Sequence, residues 1–331
     1  MTAAVPPSSV APDYLLQVPV ACDVPDYSLL VFEGPDTQSF LQGQLSNDVA
    51  ALVPGNVQWT SYNSPKGRML ATLLLWRSGP DAFRALVARD VAESVRKRLS
   101  MFVLRAKVRI SDATAGQAFL GVIGKGAADA VGAALGSCPS PGTVMTGDAQ
   151  SSIAFFDGRI LVVATDGELA RTMLRKHAGA VAPELWRWLG VRAGVPLIMA
   201  ATQDLFVPQT ANWDLLQGVS FQKGCYTGQE IIARTQYLGR LKERMHLYHL
   251  DDAPPAPATK VYGSVFADQA CGTVVNAAVA PSGGSDILIV VQESALAAPP
   301  LHVASPGGPM LAALPLPYAI PATEAPVRPR L

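Results

Sequence analysis

The segment Lys223-Gly224-Cys225-Tyr226-Thr227-Gly228-Gln229-Glu230 sets one cysteine between two glycines, directly after a lysine and a few residues before Arg234. Glycines permit tight backbone conformations, and neighbouring cations favour the thiolate over the thiol, so this spacing suits an accessible, reactive Cys225. The competing reading is a small buried hydrophobe, the commoner fate of a lone cysteine. Cys22, Cys138 and Cys271 lie far away in sequence, with no C-x-x-C pair and no histidine at zinc-finger spacing. A closed zinc site or a self-contained iron–sulfur site needs about four convergent ligands, so no metal is assigned.

Other motifs carry less chemistry. Gly121 to Gly126 resembles a phosphate loop only superficially: the glycine spacing is wrong, and Gly126 follows Lys125 where a hydroxyl residue is required. It reads as a strand-to-helix turn. His177, His246, His249 and His302 form no nucleophile–base or metal pattern, since His246 and His249 in a strand point to opposite faces. Trp186 and Trp188 suit either core packing or the wall of a pocket for an aromatic ligand.

The elements that must position these residues follow from periodicity and turn formers. Ser28 to Phe32 reads as a strand and Thr37 to Leu45 as a helix after the Glu33-Gly34-Pro35-Asp36 turn. Val57 to Tyr62 and Met69 to Trp76 read as a hairpin closed by Asn63-Ser64-Pro65-Lys66-Gly67. Val91 to Phe102 has helical spacing before a strand at Ala106 to Ile110, and Ala118 to Ile123 is a strand before an Ala-rich helix at Ala127 to Leu135. Asp157-Gly158 between Ile153–Phe156 and Ile160–Ala164 signals a hairpin with a primed turn. Helices at Glu168 to Lys176 and Pro183 to Arg192 follow, and beyond Met245 short runs (Val261–Phe266, Thr273–Ala278, Ile287–Val291) predict a small all-β domain.

A chain of 331 residues accommodates two or three domains. Its 26 basic and 26 acidic residues argue against direct nucleic-acid binding as a whole-molecule property, leaving room for a local basic patch. The hydrophobic fraction of 49% belongs to cores, because no apolar run reaches the ~20 residues of a membrane span. Free thiols and the lack of a basic, apolar leader at Met1 to Val20 place the protein in a reducing cytoplasm.

Lys223 to Glu230 resembles the signature octapeptide of the YgfZ family. The block Gly34-x-Asp36 with Phe40 to Val49, the block Pro65 to Met69, and then Ala193 to Ile198, Phe206 to Gln209 and Asn212 are similar to that family in the same order. Gly272-Thr273-Val274 and Leu314 to Tyr318 extend the likeness over about residues 24 to 320. It implies an α+β, multi-domain ring related to the glycine-cleavage T-protein. On this scheme residues 1–20 are a flexible tail, 21–243 the folate-binding region with an inserted α+β subdomain at about 52–117, and 244–325 a C-terminal β-barrel.

The resemblance also implies tetrahydrofolate or a derivative as cofactor. Tyr27 and Trp186 stand at the positions of two pocket tryptophans, Lys66 and Arg68 are candidates for the glutamyl carboxylates, and Asn212 joins the binding set. Cys225 with Lys223 forms the functional thiol site. True T-proteins carry two aspartates after the second block, where a carboxylate assists aminomethyl transfer; Leu70 and Ala71 stand there instead, so that activity is not expected. The implied role is a folate-dependent accessory factor for iron–sulfur cluster assembly or repair, with iron–sulfur enzymes or assembly proteins as partners and tRNA modification as a downstream beneficiary. A one-carbon transferase and a passive folate-binding scaffold are the alternatives.

Overall fold

A computed structural model describes residues 17–237 and 241–321; the start of the expected tail and residues 322–325 of the expected barrel domain lie outside them. Contacts group the chain into two discontinuous units. One comprises residues up to Leu41, Val49–Trp59 and Leu73–Trp186; the other Gln42–Asp48, Thr60–Thr72 and the chain from Arg187 onward.

The first unit contains a six-stranded sheet in the order Gly179–Ala180, Val20–Asp23, Ala118–Ile123, Ile160–Ala164, Gln150–Ala154, Val144–Thr146. Ile160–Ala164 is buried along its whole length, as an apolar β-branched run flanked by partners on both edges should be. Helices Ala127–Leu135 and Gly167–Leu174 cover the sheet, with Val131 and Leu174 packing into one core with Leu120, Val122, Ile160 and Val162. The small alanines at Ala127, Ala130 and Ala134 are among the residues that pack there. Asp166 caps the second helix by accepting from Leu169 N at 2.9 Å.

A second, five-stranded sheet runs Val57–Asn63, Met69–Gly79, Ala82–Ala88, Tyr27–Glu33, Arg109–Asp112. The strand expected at 106–110 begins later, because residues 99–106 form consecutive turns, with Phe102 N bonding Leu99 O and Ala106 N bonding Val103 O. Asp157-Gly158 closes a wider loop than the two-residue primed turn predicted for it. Phe155 N bonds Arg159 O at 2.8 Å and Gly158, at φ +85°, bonds Phe155 O at 3.1 Å, leaving three residues in the loop.

In the second unit the chain ends in a closed barrel ordered Glu243–Leu250, Ser285–Gln292, Ala270–Val279, Lys260–Gly263, Leu301–Val303, Met310–Leu314. Its interior is built from Val261, Val274, Ile287, Ile289, Val291 and their neighbours. The register slips between Val274 and Asn276, and the adjacent Asn276 amide grips one backbone residue twice. Leu197 N donates to its Oδ1 at 2.8 Å and its Nδ2 donates to Leu197 O at 2.9 Å. Arg244 at the start of the barrel bonds both carboxylate oxygens of Asp214, at 2.7 and 3.0 Å, and also Gln209 O. Both side chains are largely buried. Asp214→Ala strips the carboxylate from a buried guanidinium and should lower the unfolding free energy by about 3–5 kcal/mol in denaturant titration; a loss under about 1 kcal/mol would show the pair is not structural.

Candidate functional site

The octapeptide is held from its first residue. Lys223 is buried, and its ammonium donates to three backbone carbonyls, Gln42 O at 2.6 Å, Leu45 O at 2.7 Å and Asn47 O at 2.9 Å. These are carbonyls at and just after the C-terminal end of helix Thr37–Gln44, which lack donors within the helix. Burial pulls the Lys223 pKa down to about 8, with Asp48 pulling it back. The same ammonium lies 4.9 Å from the centre of the buried Tyr226 ring. Between these two anchors Gly224 and Cys225 are exposed, and a side chain at Gly224 would meet nothing within 4 Å.

The far end of the octapeptide is fixed by backbone proximity. Gly228 sits at φ +81°, and a Cβ there would come within 2.5 Å of Ser64 O and 2.8 Å of the Gly67 Cα; Gly67, at φ +69°, would in turn collide with Ile231 and Gly228 O. Two glycines therefore let the Asn63–Gly67 turn lie directly on the start of helix Gln229–Tyr237. Lys66 and Arg68 are exposed on this turn, and Arg68 Nη1 donates to Leu205 O at 2.5 Å. Asn212 is fully buried at φ +58°, donating to Met245 O at 2.7 Å, while its Oδ1 lacks a hydrogen-bond partner. Leu70 O accepts from Gln203 Nε2 at 2.7 Å and Ala71 is fully buried.

Tyr27 and Trp186 belong to the other unit, where they form part of an aromatic wall. Trp186, 2% exposed, meets Phe155 edge-on at 5.7 Å between ring centres, and Phe155 lies 6.1 Å from Trp59. The Arg159 guanidinium stacks on both Trp186 (4.8 Å) and Phe155 (5.2 Å) and is neutralised by Asp157 at 2.8 Å. Gly121 makes room: a Cβ there would occupy the Trp186 ring position. Burial pushes the Tyr27 phenol up, against the opposing pull of Arg159. Trp186 Nε1 is buried without a well-formed hydrogen bond, close enough to the Tyr27 hydroxyl only to favour the phenolate slightly. The sequence reading missed Trp59, Phe155 and Arg159, although the Asp157-Gly158 turn that carries Arg159 was visible.

The site's thiols differ in environment. Burial pushes Cys22 up to about 12, with Asp23 adding to it, and burial also raises Cys138 and Cys271. Cys225 is the exposed cysteine of the four. Among the described residues no three His, Cys, Asp or Glu side chains converge as a metal site, and no helix is long and apolar enough to cross a membrane.

Comparison with solved structures gives the class of the fold. Over 91% of this chain and 86% of the other, the fold superposes on the glycine cleavage system aminomethyltransferase T of Bartonella henselae with a TM-score of 0.73 at 16% identity. No protein-family model matches the chain. It is 30% identical to the tRNA-modifying protein YgfZ of Serratia proteamaculans over 304 residues, 89% of this chain and 91% of that protein. The YgfZ proteins of Sodalis glossinidius (30%, covering 89% and 92%) and Escherichia fergusonii (32%, covering 67% and 69%) are similar to it as well. The chain belongs to the YgfZ family.

Lys223→Met keeps the apolar stem and removes all three donors, stranding three carbonyls; stability should fall by on the order of 3 kcal/mol in denaturant titration. Cys225→Ala, at an exposed position, should change it by less than about 0.5 kcal/mol. Equal stability of the two variants would remove Lys223 from its structural role.

Proposed function

We propose that the protein binds tetrahydrofolate or a derivative against the Tyr27–Trp59–Phe155–Trp186 wall and uses Cys225 in the assembly or repair of iron–sulfur clusters, as an accessory factor for the enzymes that carry them. The observation that carries this reading is the wall itself: four rings and a stacked, neutralised guanidinium in one unit of the fold. Flat, polarizable rings are what a pterin and an aminobenzoyl group need for burial. The residues fit in kind. Tyr27 and Trp59 are half-buried and so still present surface. Lys66, Arg68 and Asn212 belong to the other unit and are candidates for the folate's polar groups on family likeness alone.

A reduced folate supplies a one-carbon carrier when bound; the chain's own residues orient and exclude water. Leu70 and Ala71 offer no carboxylate where a T-protein has two, so the reading retains the binding role and drops aminomethyl transfer. Cys225 is the reactive group. The relatives are named tRNA-modifying proteins, and we assign tRNA modification to the iron–sulfur enzymes served rather than to direct tRNA contact.

Titration with tetrahydrofolate should quench tryptophan emission and release heat. Trp186→Ala should weaken binding by about 1–3 kcal/mol if stacking here is worth what base stacking on aromatic side chains is worth, and Tyr27→Leu, which removes the ring but keeps an apolar side chain at a half-buried position, should weaken it without loss of fold. Unchanged emission and no heat at about millimolar ligand would sink the folate reading.

Cys225 should be alkylated ahead of Cys22, Cys138 and Cys271, since the thiolate is the attacking form and burial keeps the other three protonated. Cys225→Ala should leave folate affinity intact and abolish rescue of iron–sulfur enzyme activity in cells lacking the protein. Full rescue by Cys225→Ala and Cys225→Ser at native expression would leave the passive folate scaffold as the function.

A further inference from the structure

Between Arg96 and Arg109 the chain carries six cations, Arg96, Lys97, Arg98, Arg105, Lys107 and Arg109, and no acidic residue, although the whole protein is neutral. Glu93 pairs with the first two at 2.9 and 3.1 Å; Arg105, Lys107 and Arg109 are exposed with no acidic partner among the described residues. In the middle of this run stand three exposed apolar side chains, Met101 (66%), Phe102 (43%) and Leu104 (87%). The turn is fixed. Phe102 N, Val103 N and Ala106 N each bond a carbonyl three residues back, and Lys107 N donates to Asp36 Oδ2 at 2.7 Å. Leu104 is held at φ +44°, a conformation that costs a branched side chain energy and leaves it outside the core.

We infer that this turn is a docking surface for a partner protein whose face is acidic around an apolar pocket that receives Leu104 and its neighbours. Charge complementarity sets the sign of the partner, and apolar anchors inside a charged rim are the anatomy of a protein interface. Arg105 and Arg109, two of the three exposed cations without an acidic partner, carry the planar fork that matches carboxylates bidentately. Single-stranded RNA would favour a row of stacking rings, and Phe102 is the one ring in the run. A lipid surface would need more burial than three side-chain tips give, since even a whole acyl chain binds only marginally; helix Ala92–Ser100 already spends its apolar face, Ala92, Val95 and Leu99, on the core.

A photo-crosslinking amino acid placed at position 104 of the full chain, in the native host, tests this. The expected result is a protein adduct whose crosslinked peptide is rich in Asp or Glu, and which falls at least about tenfold, the loss of one strong anchor, when Arg105→Glu and Lys107→Glu are added. The same probe at exposed Val279 serves as background. Adducts with RNA or lipid, protein adducts indifferent to the charge reversals, or none above the Val279 background would overturn the inference. Melting temperature and tetrahydrofolate titration should be unchanged in these surface variants, which separates failure here from failure of the folate reading.

Discussion

One buried ammonium organises the octapeptide. The carbonyls of Gln42, Leu45 and Asn47 converge where helix Thr37–Gln44 ends, and nothing smaller than three donors satisfies them together. A neutral amine offers only two, so the site needs the charged form, although burial draws its pKa down to about 8. Around it Ser46 builds a second layer, donating to Gly218 O at 2.6 Å and accepting from Ser61 N at 2.8 Å. The helix end, the strand Val57–Asn63 and the octapeptide are thus tied through polar atoms that would be costly to leave unpaired.

That arrangement explains why Cys225 can be exposed yet well placed. Lys223 inward, Gly224 and Cys225 outward, Tyr226 inward is a short loop pinned on both sides of the thiol, and the Gly228–Gly67 contact pins it again three residues on. The lysine's own charge is directed at carbonyl oxygens and the Tyr226 ring. Its contribution to the thiol is positional. A side chain presented this way gains geometry from rigid neighbours without being buried by them.

What the sequence made legible follows from which signals are local. Ala118–Ile123, Ala127–Leu135 and Pro183–Arg192 fall where periodicity and turn formers put them, because each has a strong internal pattern bounded by Gly, Pro or Asp. Ala82–Ala88 was not visible: alanines at three of its seven positions dilute the β signal, and the strand exists through pairing with Tyr27–Glu33 and Met69–Gly79. The Asp157-Gly158 hairpin was found with the wrong turn, since loop width depends on Arg159 closing onto Phe155 and Asp157, a contact between side chains that no dipeptide rule contains. For the same reason Arg159, Phe155 and Trp59 escaped notice. Trp186 was a pocket-wall candidate by residue type and Tyr27 was named from family likeness, and the wall that joins them is tertiary.

The likeness to T-protein is one of fold, at 16% identity, and a fold does not carry a reaction. Ala71 is fully buried and the Leu70 carbonyl is committed to Gln203. A carboxylate at Ala71 would be a buried charge, costly unless a partner came with it. The polar investment has gone instead into fixing the octapeptide. Lys223 on one side and the Tyr226 ring on the other hold this loop, so the fold specifies the exposed position of the Cys225 thiol.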